Sequence, residues 1–379
     1  MGTQAHASGI HSLPVELLAD IAKYTESLGL CALRLTCRAL YQSSLRHFAQ
    51  TCVQTIKTDL TPKSLAWLEK VANDEFFGRC VRKLEIVRNS KCCPGPCSLN
   101  ITPNETYVQS WRDVMKRLVN CRSFELYYST YTTPCPDSDG ITLDWASGFI
   151  LEAICTEQIP MEKFSIEIMK YRDRWDHYNI AQFGIATFGI PAFSHLKELS
   201  LVIPDAKTET INWMAKTIQG AKALRKLEIL FNWGCKSTSL LSQLSSVGCL
   251  PELQELTFSR MSFDSSAALG IFLYNIRNSL RSVTFSTVEL EDGGWRSILR
   301  ELGGVYQLDS LVLHRVLEPN VFVSFRKIPE YALETRYLDK RLYRPFQSCL
   351  FDRDDVAFSY SGPDLNQVVR KVAALVEVP

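Results

Sequence analysis

Residues 224–229 read LRKLEI, 253–258 LQELTF, 280–285 LRSVTF and 308–313 LDSLVL. Each segment is apolar-x-x-apolar-x-apolar. The same frame recurs upstream as Val81/Leu84/Ile86, Cys121/Phe124/Leu126, Met161/Phe164/Ile166 and Leu196/Leu199/Leu201. The steps between first members are 40, 40, 35, 28, 29, 27 and 28 residues. A recurring period of this length marks a chain built from stacked structural units. The second and third members of each triplet are two residues apart, so on a strand they share one face.

Helical spacing fills the gaps. Tyr107, Trp111, Val114 and Leu118 fall on one face, as do Trp145, Phe149 and Ala153. Ile211, Met214 and Ile218 make another such set, followed by Leu269, Phe272 and Ile276, then Trp295, Ile298, Leu299 and Leu302. Strand alternating with helix predicts an α/β fold of parallel strands joined by crossover helices. Stacked in series, such units set strands on a concave face and helices on a convex one. The last four steps lie in the leucine-rich-repeat range of ~20–29 residues, and the region resembles that family's solenoid. The family's Asn or Cys after the strand is missing from most units, with Asn89 and Asn232 the exceptions. FFGRCVRKLEI, Phe76 to Ile86, resembles the entry to such repeats in many fungal proteins of the class described next.

Ahead of the repeats stands LPVELLADIAKYTESLGLCALRLTCRALY, Leu13 to Tyr41. Pro14 suits a first helical turn, and Glu16 suits the positive end of a helix dipole. Leu17, Leu18 and Ile21 follow at helical spacing, then Leu30, Leu33 and Cys37, then Leu40, Tyr41, Leu45 and Phe48. Three short helices in so few residues bury little on their own and need a neighbour or partner. The stretch resembles an F-box, matching at Leu13, Pro14, Glu16, Leu17, Leu18, Ile21, Leu30, Leu33, Arg34, Cys37 and Arg38. Gly29 stands where the family has Asp, which predicts a weakened helix cap, and Thr25 stands where it has Leu. The resemblance implies docking of a Skp-type adaptor, and through it a cullin, by Leu13, Pro14, Leu17, Leu18, Ile21, Leu30, Leu33 and Cys37. The implied function is a non-catalytic, substrate-recruiting subunit of a Skp–cullin–F-box ubiquitin ligase. An F-box protein of a non-proteolytic assembly, or a repeat scaffold that binds no adaptor, remain alternatives.

The expected organisation is an F-box over 10–50, a linker helix region over 51–80, the repeats over 81–345 and a C-terminal cap or tail over 346–379. Thr61-Pro62 reads as a cap and first helical residue, with Leu65, Leu68 and Val71 on the apolar side of the linker helix.

The bulk numbers exclude more than they select. A net charge of +1 over 379 residues gives no electrostatic case for nucleic acid or an anionic membrane. No apolar run reaches the ~18 residues of a spanning helix, and MGTQAHASGI lacks the apolar core of a signal peptide. A cytoplasmic or nuclear location is therefore expected, with the 13 cysteines reduced and packed as small apolar residues. Six histidines fall in no nucleophile motif, and no phosphate-cradling glycine loop is present. Cys92, Cys93 and Cys97 cluster without the spacing of a zinc finger, and Asp352, Asp354 and Asp355 lack the frame of a calcium loop. No metal or cofactor is expected.

For a target, the residues between the buried positions carry the expectation. One column reads Glu85, Glu125, Ser165, Ser200, Glu228, Thr257, Thr284 and Val312. The next reads Val87, Tyr127, Glu167, Val202, Leu230, Ser259, Ser286 and His314, with Arg260 and Arg315 one residue further on. Both columns should face the concave side. The acidic early half, with Tyr127, Tyr128 and the aromatic stretch holding Tyr171 and Trp175, predicts a target lying there, and Glu125 and Glu167 would favour a basic segment. The competing reading is a solvated face, with Tyr171 and Trp175 packed back onto the repeats.

Overall fold

The computed structural model describes residues 10, 13–87, 105–129, 143–169, 193–203, 208–246, 250–305, 307–319, 321–323, 357–362 and 364–375. The chain forms two compact units, Met1–Asn89 with Thr102–Phe124, and Ser90–Ile101 with Glu125–Pro379. Among the described residues no helix is long and apolar enough to cross a membrane.

The first unit opens with α1 (Val15–Lys23), α2 (Ser27–Arg34) and α3 (Arg38–Phe48). α3 packs against both of the others, and Leu18, Ala22, Leu30 and Leu40 are buried. The buried guanidinium of Arg34 lies over the Tyr41 and Phe48 rings, 4.1 Å from each centroid. Such stacking suits a flat, weakly hydrated cation better than an ammonium. α3 starts at an unusual cap, the Cys37 thiol accepting from the Leu40 N–H at 3.5 Å.

Residues 51–80 are more than the linker helix expected from sequence. A π-turn (Ala49–Val53) leads into β1 (Thr55–Thr58), which pairs in parallel with β2 (Lys83–Val87), Ile56 opposite Leu84 and Thr58 opposite Ile86. Val53, Ile56 and Thr58 therefore occupy the repeat frame one unit earlier. Thr58 hides it, because its third position is polar. That hydroxyl is buried but satisfied, donating to Ser64 Oγ at 3.0 Å and accepting from Leu60 N–H at 3.1 Å. α4 (Pro62–Asn73) starts where its signals predicted, with Thr61 Oγ1 accepting from Ser64 N–H and Pro62 in the first turn. The Asp74 carboxylate caps α5 (Glu75–Cys80) through the Phe76 and Phe77 N–H groups. α6 (Glu105–Arg117) buries Trp111 and Val114. The chain crosses from one unit to the other within β3 (Ser123–Ser129).

In the second unit α7 (Leu143–Thr156) precedes β4 (Lys163–Met169) and β5 (Glu198–Ile203). Then come α8 (Thr208–Gly220), β6 (Lys226–Lys236), α9 (Thr238–Ser246), β7 (Glu255–Phe263), α10 (Ser266–Ile276), β8 (Ser282–Leu290), α11 (Trp295–Leu302) and β9 (Ser310–His314). Strands β4 to β9 pair in parallel and in chain order. The second and third members of all eight triplets lie on β2 to β9, and every one is buried. Consecutive helices from α8 to α11 pack side by side, forming the second layer. Phe258, Phe285, Phe272 and Trp295 stack between the layers with centroids 5.4 to 6.1 Å apart. α9 was not expected; in KSTSLLSQLSS the hydroxyl residues obscure Leu240, Leu241 and Leu244, which are buried.

Both units repeat one further device. The carbonyl just before β1, β2 and each of β4 to β8 accepts two successive N–H groups from the next repeat. Gln54 accepts from Arg82 and Lys83 at 2.9 and 3.0 Å, and Lys197 from Arg225 and Lys226 at 2.8 and 2.9 Å. Gln254 accepts from Arg281 and Ser282, again at 2.8 and 2.9 Å. The strand entrances are thereby locked in register.

Midway along β7 and β8, and just past β9, the chain bends instead. Arg260, Thr287 and Arg315 all adopt left-handed backbone, with φ of 57°, 56° and 52°. The bend lets β8 pair twice, its first half with β9 and its second with β10 (Leu317–Glu318), which then pairs antiparallel with β11 (Val321–Phe322). Glu318 accepts the Trp295 N–H at 2.8 Å at the start of α11. Within the segment 346–379, β12 (Ala357–Ser361) pairs antiparallel with β9 and α12 (Leu365–Leu375) packs against α11. β12 thus covers an edge that would otherwise offer unpaired backbone groups.

Candidate functional site

The three N-terminal helices present two kinds of residue. Leu18 and Leu30 are buried and hold the helices together, which corrects the expectation that they meet an adaptor. Leu33 and Cys37 are part-buried. Leu13, Pro14, Leu17 and Ile21 are exposed, Leu17 at 48%. Sequence reasoning missed the rest of this surface. Val15, Leu28 and Leu35 are more exposed still, the two leucines at 86% and 88%. The missed signal lay in LGLCALRL, which is apolar on every side. A helix of that composition is buried all round in its working state. Here one side is buried through Leu30 and Arg34, and Leu28 and Leu35 remain open. Apolar exposure concentrated on one small unit marks a partner site.

The two departures from the F-box pattern are coupled to each other. A Cβ built at Gly29 would lie 2.8 Å from Thr25 Cγ2. Thr25 cannot easily rotate away, because its hydroxyl donates to the Ile21 carbonyl at 2.7 Å. Gly29 is also not a cap: α2 begins after Glu26, whose side chain makes no cap bond.

The acidic column differs from its expectation. Glu125 is 3% exposed and Glu85 nearly as covered. In the first unit Glu85 pairs with Lys83 at 2.8 Å and Lys57 at 3.0 Å. Burial alone would raise its carboxyl pKa; the hydrogen bonds and charges of these lysines outweigh it and hold the carboxyl below its ordinary range. In the second unit Glu125 pairs with Lys163 at 3.2 Å and accepts from the Tyr127 hydroxyl. Lys163 also reaches Glu198 at 3.4 Å, and Lys226 meets Glu255 at 3.0 Å. Opposite charges thus face each other across neighbouring strands, which fixes register. Glu125 therefore serves the sheet and is not an open charge for a basic target. Glu167 is part-buried and engaged, Tyr128 lies on β3, and Tyr171 and Trp175 lie outside the described residues, as do Cys92, Cys93, Cys97 and the Asp352–Asp355 run.

The later column is also less open than expected. Ser259 and Ser286 are buried, and Ser286 Oγ lies 3.3 Å from His314 Nδ1. Burial and then the nearby Arg315 charge push the His314 pKa down to about 4, so the imidazole is neutral at pH 7. Of the cysteines, Cys121 is buried and its thiol is pushed up to about 12 by desolvation, which removes thiolate chemistry there. Among the described residues no group of three metal-ligating side chains stands together.

No family model and no curated protein sequence matches this chain. Among solved structures, an internalin from Listeria monocytogenes is 12% identical, with a TM-score of 0.32 over 65% of this chain and 65% of that one. A likeness of that size settles nothing by itself, and the repeat architecture stands on the strand pairing described above.

Proposed function

We propose that this protein is a substrate-recruiting subunit of a Skp–cullin–F-box ubiquitin ligase. The observation that carries the reading is the exposed apolar surface of Leu13, Leu17, Ile21, Leu28 and Leu35, on a three-helix unit whose sequence follows the F-box pattern. On this reading the helices hold a Skp-type adaptor and thereby a cullin, and the repeats hold a target protein. Such a subunit performs no bond chemistry. It raises the effective concentration of the target beside the transferring enzyme. A cytoplasmic or nuclear location follows from that role.

The test is capture of purified adaptor by the full chain. Changing Leu13 and Pro14 together to Ala should abolish capture while the urea midpoint stays unchanged, since both side chains are exposed. Undiminished capture overturns the reading.

A further inference from the structure

Two thiols meet where α2 crosses the end of α3. Cys31 lies on α2 and Cys52 in the π-turn that continues α3. Both are free, Cys31 exposed and Cys52 part-buried. The sequence expectation that cysteines pack as small apolar residues therefore fails at Cys31. Packing one turn away explains how the two meet. Arg34 follows Cys31 by about one helical turn, and Phe48 precedes Cys52 by about one turn. The Arg34 guanidinium stands over the Phe48 ring, 4.1 Å from its centroid. α2 packs on α3, and α3 on the π-turn. The Arg34–Phe48 contact thus brings the next turn of each element together, and there the two thiols share a hydrogen bond. Single π-turns of this kind recur at functional sites.

The surroundings favour an ordered exchange. Cys31 is open to solvent, so a reagent reaches it first. Burial, then the charge and hydrogen bond of Cys31, push the Cys52 thiol up, while the Arg34 charge works the other way. Once Cys31 is capped as a disulfide its charge is gone, and Arg34 is left to favour a thiolate at Cys52. Cys31 also borders the open face of α2, with Leu28 and Leu35 one turn to either side of it.

We propose that Cys31 and Cys52 are a reversible disulfide pair, closed by a small-molecule disulfide of the glutathione class. The Cys31 thiolate attacks one sulfur of the oxidant, which breaks its S–S bond, forms a mixed disulfide and releases one thiolate. Cys52 gives its proton to water and attacks the Cys31 sulfur. The protein disulfide forms and the second small thiolate leaves. Two cysteines are oxidised by two electrons, one external disulfide is reduced to two thiols, and the released thiolates take up the protons the cysteines lost. Reversible disulfides of this kind are the ones found in reducing compartments. The pairing does not rest on the ligase reading.

The test equilibrates the full folded chain with oxidised and reduced glutathione, alkylates the remaining thiols and maps disulfides in a non-reducing digest by mass spectrometry. A linked peptide holding Cys31 and Cys52 is expected, and dithiothreitol should abolish it. In Cys52→Ser, Cys31 should instead retain glutathione; in Cys31→Ser, Cys52 should stay reduced. The equilibrium constant for closing the bond against glutathione should exceed that of the chain unfolded in urea by about tenfold or more, because packing holds the thiols together. Circular dichroism checks that each variant is folded, and the parent measurements decide the pairing even where a variant is not. Glutathione retained on Cys31 of the parent, a link from Cys31 to Cys37, no reaction at either residue, or equal closure in urea would each overturn the pairing.

Discussion

Two residues show how environment overrides what a residue type suggests. Gly29 inside α2 costs about 1 kcal/mol of helix propensity relative to Ala. Yet Gly29→Ala should gain little, because the new Cβ meets Thr25 Cγ2. In a Thr25→Ser background the methyl is gone and the hydroxyl bond to Ile21 can persist, so the same change should stabilise by about 0.5–1 kcal/mol. Chemical unfolding of the four-member cycle checks this, and additive effects would show that the two positions are not coupled. His314 supplies a pH dependence. In the unfolded chain its imidazole takes a proton near 6.5, whereas folded it stays neutral down to about 4. Between those values the unfolded state binds more protons, so stability falls as pH drops from 6.5 towards 4. The loss should be on the order of 1–3 kcal/mol after allowance for its partial exposure. Urea midpoints at pH 7 and pH 5 should differ less in His314→Gln than in the parent chain. An identical drop in both would place the acid sensitivity elsewhere.

At the scale of elements, the eight strands of the repeat were legible because each buried face is spelled in apolar residues. β1 was not, because Thr58 satisfies its hydroxyl locally through Ser64 and Leu60 and so is buried without being apolar. α9 was lost for a similar reason, its leucines being diluted by serine. The two kinds of strand should fail differently. Leu227→Ala or Leu256→Ala removes a fully buried side chain and should cost ~2–5 kcal/mol. Thr58→Val keeps the shape but strands the Leu60 N–H, which already sits on a left-handed residue, and should cost about 1–3 kcal/mol. Differential unfolding in urea measures both. A stabilised Thr58→Val would mean that the strand wants the apolar residue its sister strands carry. The acidic column was misread for a reason a sequence does not carry. Alternation tells which side of a strand a glutamate leaves from, but not that Lys83 or Lys163 will lie over it.

At the scale of the whole molecule, the adaptor reading is best probed by substitution, since deletion of residues 1–50 cuts into the fold. Phe48 sits edge-on to Phe77 of α5 at 6.1 Å, and Ala49 in the π-turn is buried. Removing the first fifty residues takes away that packing along with the docking surface, so lost capture by the shortened chain would have two explanations. Its thermal midpoint should fall by several degrees, as expected for losing a few kcal/mol of burial. Leu28→Asp with Leu35→Asp separates the causes. Both side chains are almost wholly exposed, so surface changes there should move stability by no more than about 0.5 kcal/mol each. If an adaptor covers them, two carboxylates must be desolvated in the complex, and capture should fall by a factor of a hundred or more, on the order of 3 kcal/mol. A Leu28/Leu35 double variant that melts like the parent and still captures adaptor at full strength would confine the docking surface to Leu13, Pro14, Leu17 and Ile21. The two most exposed leucines of α2 and its end would then have to answer to a different partner.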